Sequence, residues 1–113
     1  MDIGLFYQIQ VPKPWSTDSE SKRYWEMLEE VTYAEEIGMT SVWFVEHHFR
    51  SEWSHSSAPD ITLAAISQRT TKMRLGIAVV LVPLHHPLNI ASRMATLDVV
   101  SNGRVDLGIG RSG

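Results

Sequence analysis

Leu75-Gly76-Ile77-Ala78-Val79-Val80-Leu81-Val82 is near-continuously apolar, which marks a strand covered on both faces, as in a parallel sheet. With Arg74 in front of it, the strand runs from Arg74 to Val82. Downstream, Pro87 opens a helix with Ile90, Met94 and Leu97 on one side, Asn102-Gly103 closes it, and Arg104 to Ile109 reads as another strand. Upstream, Pro59 suits the first position of a helix reaching about Thr70. The serine-rich stretch from Arg50 to Ala58, with Trp53 and His55, is a loop, and Ser41 to Val45 is a strand. Before it, Tyr24, Met27, Leu28, Val31 and Ala34 recur at spacings of three and four among glutamates, and Gly38 supplies the helix stop. Ile3 to Tyr7 is the first strand, followed by a polar loop with Pro12 and Pro14 that reaches about Glu20.

Four strands alternating with three helices require crossover connections, and therefore a parallel α/β sheet. Two architectures satisfy the pattern: a doubly wound sheet, or the first half of an eight-stranded barrel. Strand order is not readable from one sequence, so periodicity alone leaves both open.

Composition narrows the function. The chain has 113 residues, 43% of them hydrophobic, enough for one domain with a buried core. A net charge of -3 and the scattered positions of Lys72, Arg74, Arg93 and Arg104 give no basic stripe, which argues against nucleic acid. There is no cysteine, Met1-Asp2-Ile3-Gly4 does not open a leader peptide, and no stretch approaches the roughly 20 apolar residues of a membrane span. A cytoplasmic protein without membrane contact is expected.

The chemistry gathers at strand ends. Ser41-Val42-Trp43-Phe44-Val45 runs into Glu46-His47-His48-Phe49, the next strand is followed by His85-His86-Pro87, and the last ends in Gly108-Ile109-Gly110-Arg111. Histidine titrates nearest neutrality, so an imidazole at the carboxyl end of a parallel strand can move a proton or hold an anion. His47 and His48 are adjacent in extended backbone, so their side chains point to opposite sides and only one faces a central pocket. Glu46 suits pairing with a cation or orienting an imidazole. His86 precedes proline and serves as the N-cap of the third helix, where Ser or Asp would cap better. The run Gly108-x-Gly110-x-x-Gly113 imitates a dinucleotide fingerprint but lacks a following helix and a downstream acid. Its glycines instead permit close approach of backbone to a ligand, with Arg111 as a fork for phosphate. Five histidines with Glu46 and Asp106 raise a metal-dependent hydrolase, but the first strand ends in Tyr7-Gln8, not in paired histidines, and no metal site is expected.

Taken together, Glu46-His47-His48-Phe49, Arg74-Leu75-Gly76 through Val82-Pro83 with His86-Pro87, Thr96-Leu97-Asp98, and Ser101-Asn102-Gly103-Arg104 with Gly108-Ile109-Gly110-Arg111 resemble the bacterial-luciferase-like, flavin-dependent monooxygenases over essentially the whole chain. The resemblance implies the N-terminal half of a (β/α)8 barrel, with residues 1–113 as a partial barrel domain; such barrels usually need about 250 residues. It implies reduced FMN, or a deazaflavin in some branches, at the carboxyl ends of the strands, with a flavin reductase, dioxygen and a small organic substrate as partners. His47 would face flavin and substrate as the acid-base residue, with Glu46 beside it in the catalytic group. Ala78 and Val79, joined by a cis peptide in a bulge, would lie against the flavin ring, and His86, Gly110 and Arg111 would complete its binding. A homo-oligomer is expected, closing half to half or docking through the second and third helices. The alternative is a catalytically incomplete half-barrel that serves as a binding or assembly unit.

Overall fold

The computed structural model describes residues 1–112; Gly113, the last glycine of the fingerprint-like run, lies outside them. In chain order the elements are β1 (Gly4–Tyr7), α1 (Ser19–Glu36), β2 (Ser41–Phe44), α2 (Pro59–Ser67), β3 (Arg74–Leu81), a single 3-10 turn (Val82–Leu84), α3 (Pro87–Val100) and β4 (Val105–Gly110). All neighbouring strands pair in parallel and their spatial order is their sequence order, β1-β2-β3-β4. A doubly wound sheet would reverse its order at one point. Sequential order without reversal is the arrangement of half a barrel.

Registered residues share a face, so the rows across the sheet can be read off. Leu5, Val42, Leu75 and Val105 form one row, and Tyr7, Phe44, Ile77 and Leu107 another, both turned toward the helices. Val42, Phe44, Leu75 and Ile77 are fully buried there against Met27 and Val31 of α1, Leu63 and Ile66 of α2, and Leu97 of α3. The alternate row, Phe6, Trp43, Gly76 and Asp106, lies on the opposite, inner face. A Cβ on Gly76 would stand 2.2 Å from the Trp43 ring, so the indole lies directly on this glycine. The expectation that β3 is covered on both faces holds for its helix side. On the inner side Ala78 and Val79 are half-buried and Arg74 is exposed, paired with Asp106 of the adjacent strand.

Element ends follow from local chemistry. Gly38 (φ +96°) and Gly103 (φ +74°) take the left-handed conformation just after α1 and α3. Pro59 and Pro87 occupy the first turns of α2 and α3, and His86 caps α3 by accepting the Leu88 amide at 3.2 Å. Strand β3 stops one residue earlier than expected, giving way to a turn that holds Pro83. No helix among the described residues is long and apolar enough to cross a membrane.

At the amino ends of β3 and β4 a buried guanidinium ties the elements together. The five N–H groups of Arg104 donate to Ser101 O, Thr70 Oγ1, Met73 O, Ser67 O and Thr70 O, at 2.6 to 3.1 Å. Three of these acceptors are carbonyls at or just past the C-termini of α2 and α3, where a cation complements the helix dipole. Nearby, the Glu35 carboxylate accepts the amides of Thr71, Lys72 and Met73 at 2.7 to 3.0 Å. Burial pushes the Glu35 carboxyl upward, but these three amides and the charge of Arg104 outweigh it and hold the group below its ordinary range.

Two predictions follow from these clamps. Arg104→Met leaves up to five buried acceptors without their donor and should lower stability by about 3 kcal/mol in denaturant unfolding near pH 7. Arg104→Lys should recover only part of it, since one ammonium cannot reach the same five acceptors. For Glu35 the folded pKa lies below the unfolded one, so its contribution is present above the unfolded value, about 4.3, and is lost as pH falls through the folded value. The stability gap between wild type and Glu35→Gln should therefore be widest near neutrality and close on acidification; a gap independent of pH would refute the assignment.

Candidate functional site

The carboxyl ends of β2, β3 and β4 bring together most of the residues singled out in the sequence. Beyond Phe44 the chain passes through Val45, whose amide donates to Tyr7 O at 3.3 Å, to Glu46 and then bends at His48 and Phe49. Glu46 is 3% exposed. Its Oε1 lies 2.7 Å from His48 Nε2 and 2.5 Å from His85 Nε2, while Oε2 accepts the Leu81 amide at 2.8 Å. One carboxylate thus joins the end of β2 to the end of β3 and to the loop before α3. Burial raises the Glu46 carboxyl, but hydrogen bonds from His48, Leu81 and His85 outweigh it and keep the group below its ordinary range, as a carboxylate. Both imidazoles therefore present an Nε2–H to the same oxygen.

This cluster borders a cavity of about 240 Å³ on the helix side of the sheet, walled by Ile77, Val80, Ile90 and Met94. Across the cavity, Arg93 of α3 pairs with Asp60 of α2 at 2.5 Å. His47 does not line this cavity. Its amide donates to Ser56 O at 2.8 Å, and no described residue hydrogen-bonds its half-buried ring. The adjacent histidines thus separate, His48 to the helix-side cluster and His47 away from it. Phe49, fully exposed with φ +55°, turns the chain immediately afterwards.

The inner face carries the second group. The ladder between β3 and β4 slips between Ile77 and Val80, and the Ala78-Val79 peptide within the slip is cis. The bulge sets the Val79 side chain over β4: a Cβ on Gly110 would stand 2.6 Å from Val79 Cγ2, and one on Gly108 2.7 Å from Ile77 O. The close approach these glycines permit in the structure is thus between β4 and the β3 bulge. Arg111 is exposed just beyond β4, and no described acid pairs with it. His86, exposed, spends Nδ1 on the Leu88 amide, which leaves its Nε2 to solvent.

Sequence reasoning placed Glu46, His47, Ala78, Val79, His86, Gly110 and Arg111 at this edge of the sheet. It did not single out His48 and His85 as a pair around Glu46. The signal was present only in part, as two histidine doublets following two strands. Joining them requires knowing that β2 and β3 are neighbours.

Comparison with known proteins comes to the same ground. The family model for luciferase-like monooxygenases matches residues 1–113. The oxygenase component of the flavin-dependent trigonelline monooxygenase of Acinetobacter baylyi is 34% identical over 111 residues, covering 98% of this chain and 30% of that protein. Limonene 1,2-monooxygenase of Rhodococcus erythropolis is 36% identical over 112 residues, 97% of this chain and 27% of that one. Among solved structures, the monooxygenase RslO1 from Streptomyces bottropensis superposes with a TM-score of 0.89 at 34% identity, over 100% of this chain and 34% of its own. The chain spans 23% to 30% of the length of such curated relatives. It belongs to the luciferase-like monooxygenase family.

Proposed function

We propose that this member of the luciferase-like monooxygenases contributes the flavin-bearing edge of an oxygenating barrel: its inner face holds reduced FMN, and the protein oxygenates a small organic substrate with dioxygen. The observation that carries the reading is the convergence, at the carboxyl ends of three adjacent strands, of an imidazole and a guanidinium that have no partner among the described residues, and of a bulged strand. The residues fit the cofactor. The bulge at Ala78-Val79 offers an apolar platform, Arg111, exposed and unpaired among the described residues, a fork for a phosphate, and His86 a donor at the start of α3. A relative named as the oxygenase component of a flavin-dependent enzyme supports supply of reduced flavin by a separate reductase. A deazaflavin would meet the same platform and phosphate donors.

When bound, the reduced flavin supplies the electrons that activate dioxygen. The chain's own residues do the rest. Arg111 and His86 fix the anionic end, and Val79 and Gly110 set how closely the ring system rests against β3 and β4. Phe6 and Trp43, apolar on the same face, help exclude water. His47, its ring uncommitted, gives or takes the proton at the reacting edge. Glu46 acts through the loop it anchors, fixing where His47 stands. In this reading the 113 residues are one partial barrel domain working in the cytoplasm.

A second reading, an assembly unit, is favoured by one observation: Ile61 of α2 and Val100 of α3 are exposed and line a groove between the two helices. A homo-oligomer docked through these helices is compatible with the flavin reading, because the groove lies on the other side of the sheet from the bulge.

Three outcomes test the proposal. Arg111→Ala should weaken FMN binding by about tenfold or more, as loss of a charge-assisted phosphate contact does, while riboflavin, which lacks the phosphate, binds both forms equally. In a polypeptide of its relatives' length carrying these residues, His47→Ala should cut turnover at least about tenfold with flavin affinity nearly unchanged; unaltered turnover sinks that role. Sedimentation at micromolar concentration should give a mass above the 12.8 kDa of the single chain, and a clean monomer removes the oligomer.

A further inference from the structure

Glu46, His48 and His85 offer two imidazole nitrogens and one carboxylate oxygen from three separate stretches of chain, all within 4.8 Å of one another. We propose that they form a site for one divalent transition-metal ion, on the helix side of the sheet and separate from the flavin face.

Four features support it. The first is the donor set. Two neutral imidazoles and a carboxylate, with further positions open, suit ions such as zinc or iron(II), whereas magnesium and calcium prefer oxygen alone. The second is how the carboxylate is held. The Glu46 side chain is 1% exposed and Oε2 is fixed by the Leu81 amide, leaving Oε1 aimed between both rings. Ligating carboxylates are oriented by hydrogen bonds of this kind.

The third feature is access. The His48 and His85 side chains are 33% and 26% exposed, and the cluster opens on the cavity walled by Ile77, Val80, Ile90 and Met94, so an ion can enter and keep water or a small ligand in its remaining positions. The fourth is charge. A buried carboxylate needs a compensating positive charge, and the guanidinium that shares the cavity, Arg93, is already engaged by Asp60. Among the described residues no Lys or Arg pairs with Glu46, so a cation held between the two rings would supply the missing charge.

Binding an ion moves the rings in two senses: each Nε2 draws back from Oε1, and the two Nε2 atoms, which lie within 4.8 Å of each other, settle at ligand spacing. Ligands at about 2.0 to 2.2 Å from a tetrahedral or octahedral ion stand about 3 Å or slightly more from one another. The present Oε1 to Nε2 separations are 2.7 and 2.5 Å, so the rings withdraw by a few tenths of an ångström as the hydrogens between them give way to the ion. Without an ion the same atoms form a hydrogen-bonded clamp, and the experiment separates the two.

The full chain, stripped with a chelator, is titrated with Zn²⁺ by calorimetry, and with Co²⁺ by visible absorption. One ion per chain should bind saturably at micromolar concentration, with ligand-field bands for Co²⁺ and no uptake of Mg²⁺. His48→Ala and His85→Ala should each weaken Zn²⁺ binding by about tenfold or more, while His55→Ala, which removes a histidine outside the cluster, should not. His85→Gln keeps a side-chain N–H for Glu46 but removes the ligand nitrogen, so it should stay folded and still lose the ion. Absence of saturable Zn²⁺ binding by the wild-type chain at millimolar concentration, or equal binding by His48→Ala, His85→Gln and wild type, overturns the site. Neither readout involves flavin, so the two proposals stand or fall separately.

Discussion

The guanidinium of Arg104 is the contact on which the sheet's arrangement rests. Parallel strands are joined by helices whose C-terminal carbonyls have no partner within the helix, and these ends crowd together at the amino edge of the sheet. Arg104 spends five donors on that crowding and binds the end of α2, the start of β3 and the end of α3 in one step. Glu35 does the complementary work for the amides of residues 71 to 73. With opposite charges satisfying opposite backbone groups, the amino edge is closed by side chains. The carboxyl edge is then left available for chemistry, the division of labour seen across barrels of this type.

At the carboxyl edge Glu46 repeats the device with fewer bonds. Its two oxygens hold an amide and two imidazoles, so the ends of β2 and β3 and the approach to α3 cannot shift independently. The difference from Arg104 is in what surrounds it. Arg104 meets only backbone and a threonine hydroxyl, whereas Glu46 meets two titratable rings beside a cavity. The amino-edge clamp is suited to stability, and the carboxyl-edge one to binding.

Much of the fold was legible because it is periodic. The α1 stripe of Met27, Val31 and Ala34 is buried as its spacing requires, prolines and glycines mark element ends as their backbone limits demand, and strand boundaries differ by only a residue or so. The choice between barrel and doubly wound sheet was not in the periodicity; it needed strand order, and only motif identity pointed to it. Least legible were the charged residues that turned out to be buried. In the sequence alone Arg104 is one of several scattered cations, at the start of the last strand, and His85 a neighbour of the capping His86. Apart from Ser101, their partners lie 31 to 39 positions away, and nothing local encodes a contact across that distance until the sheet's register is known.

Three consecutive residues show how register becomes function. Just past the end of β2, Glu46 and His48 meet beside the helix-side cavity, and His47 between them does not line it. The helix side there is enclosed, which forces the Glu46 charge to find His48 and His85. The other side is open, and His47 keeps a ring committed to nothing among the described residues. A one-residue slip of β2 would exchange the two, placing the His47 ring beside the helix-side cavity and the Glu46 carboxylate on the open face. The buried row that fixes the register, Val42 and Phe44 against the helices, therefore also decides which histidine ring is left outside the Glu46 cluster. Core packing and site chemistry here depend on the same alternation.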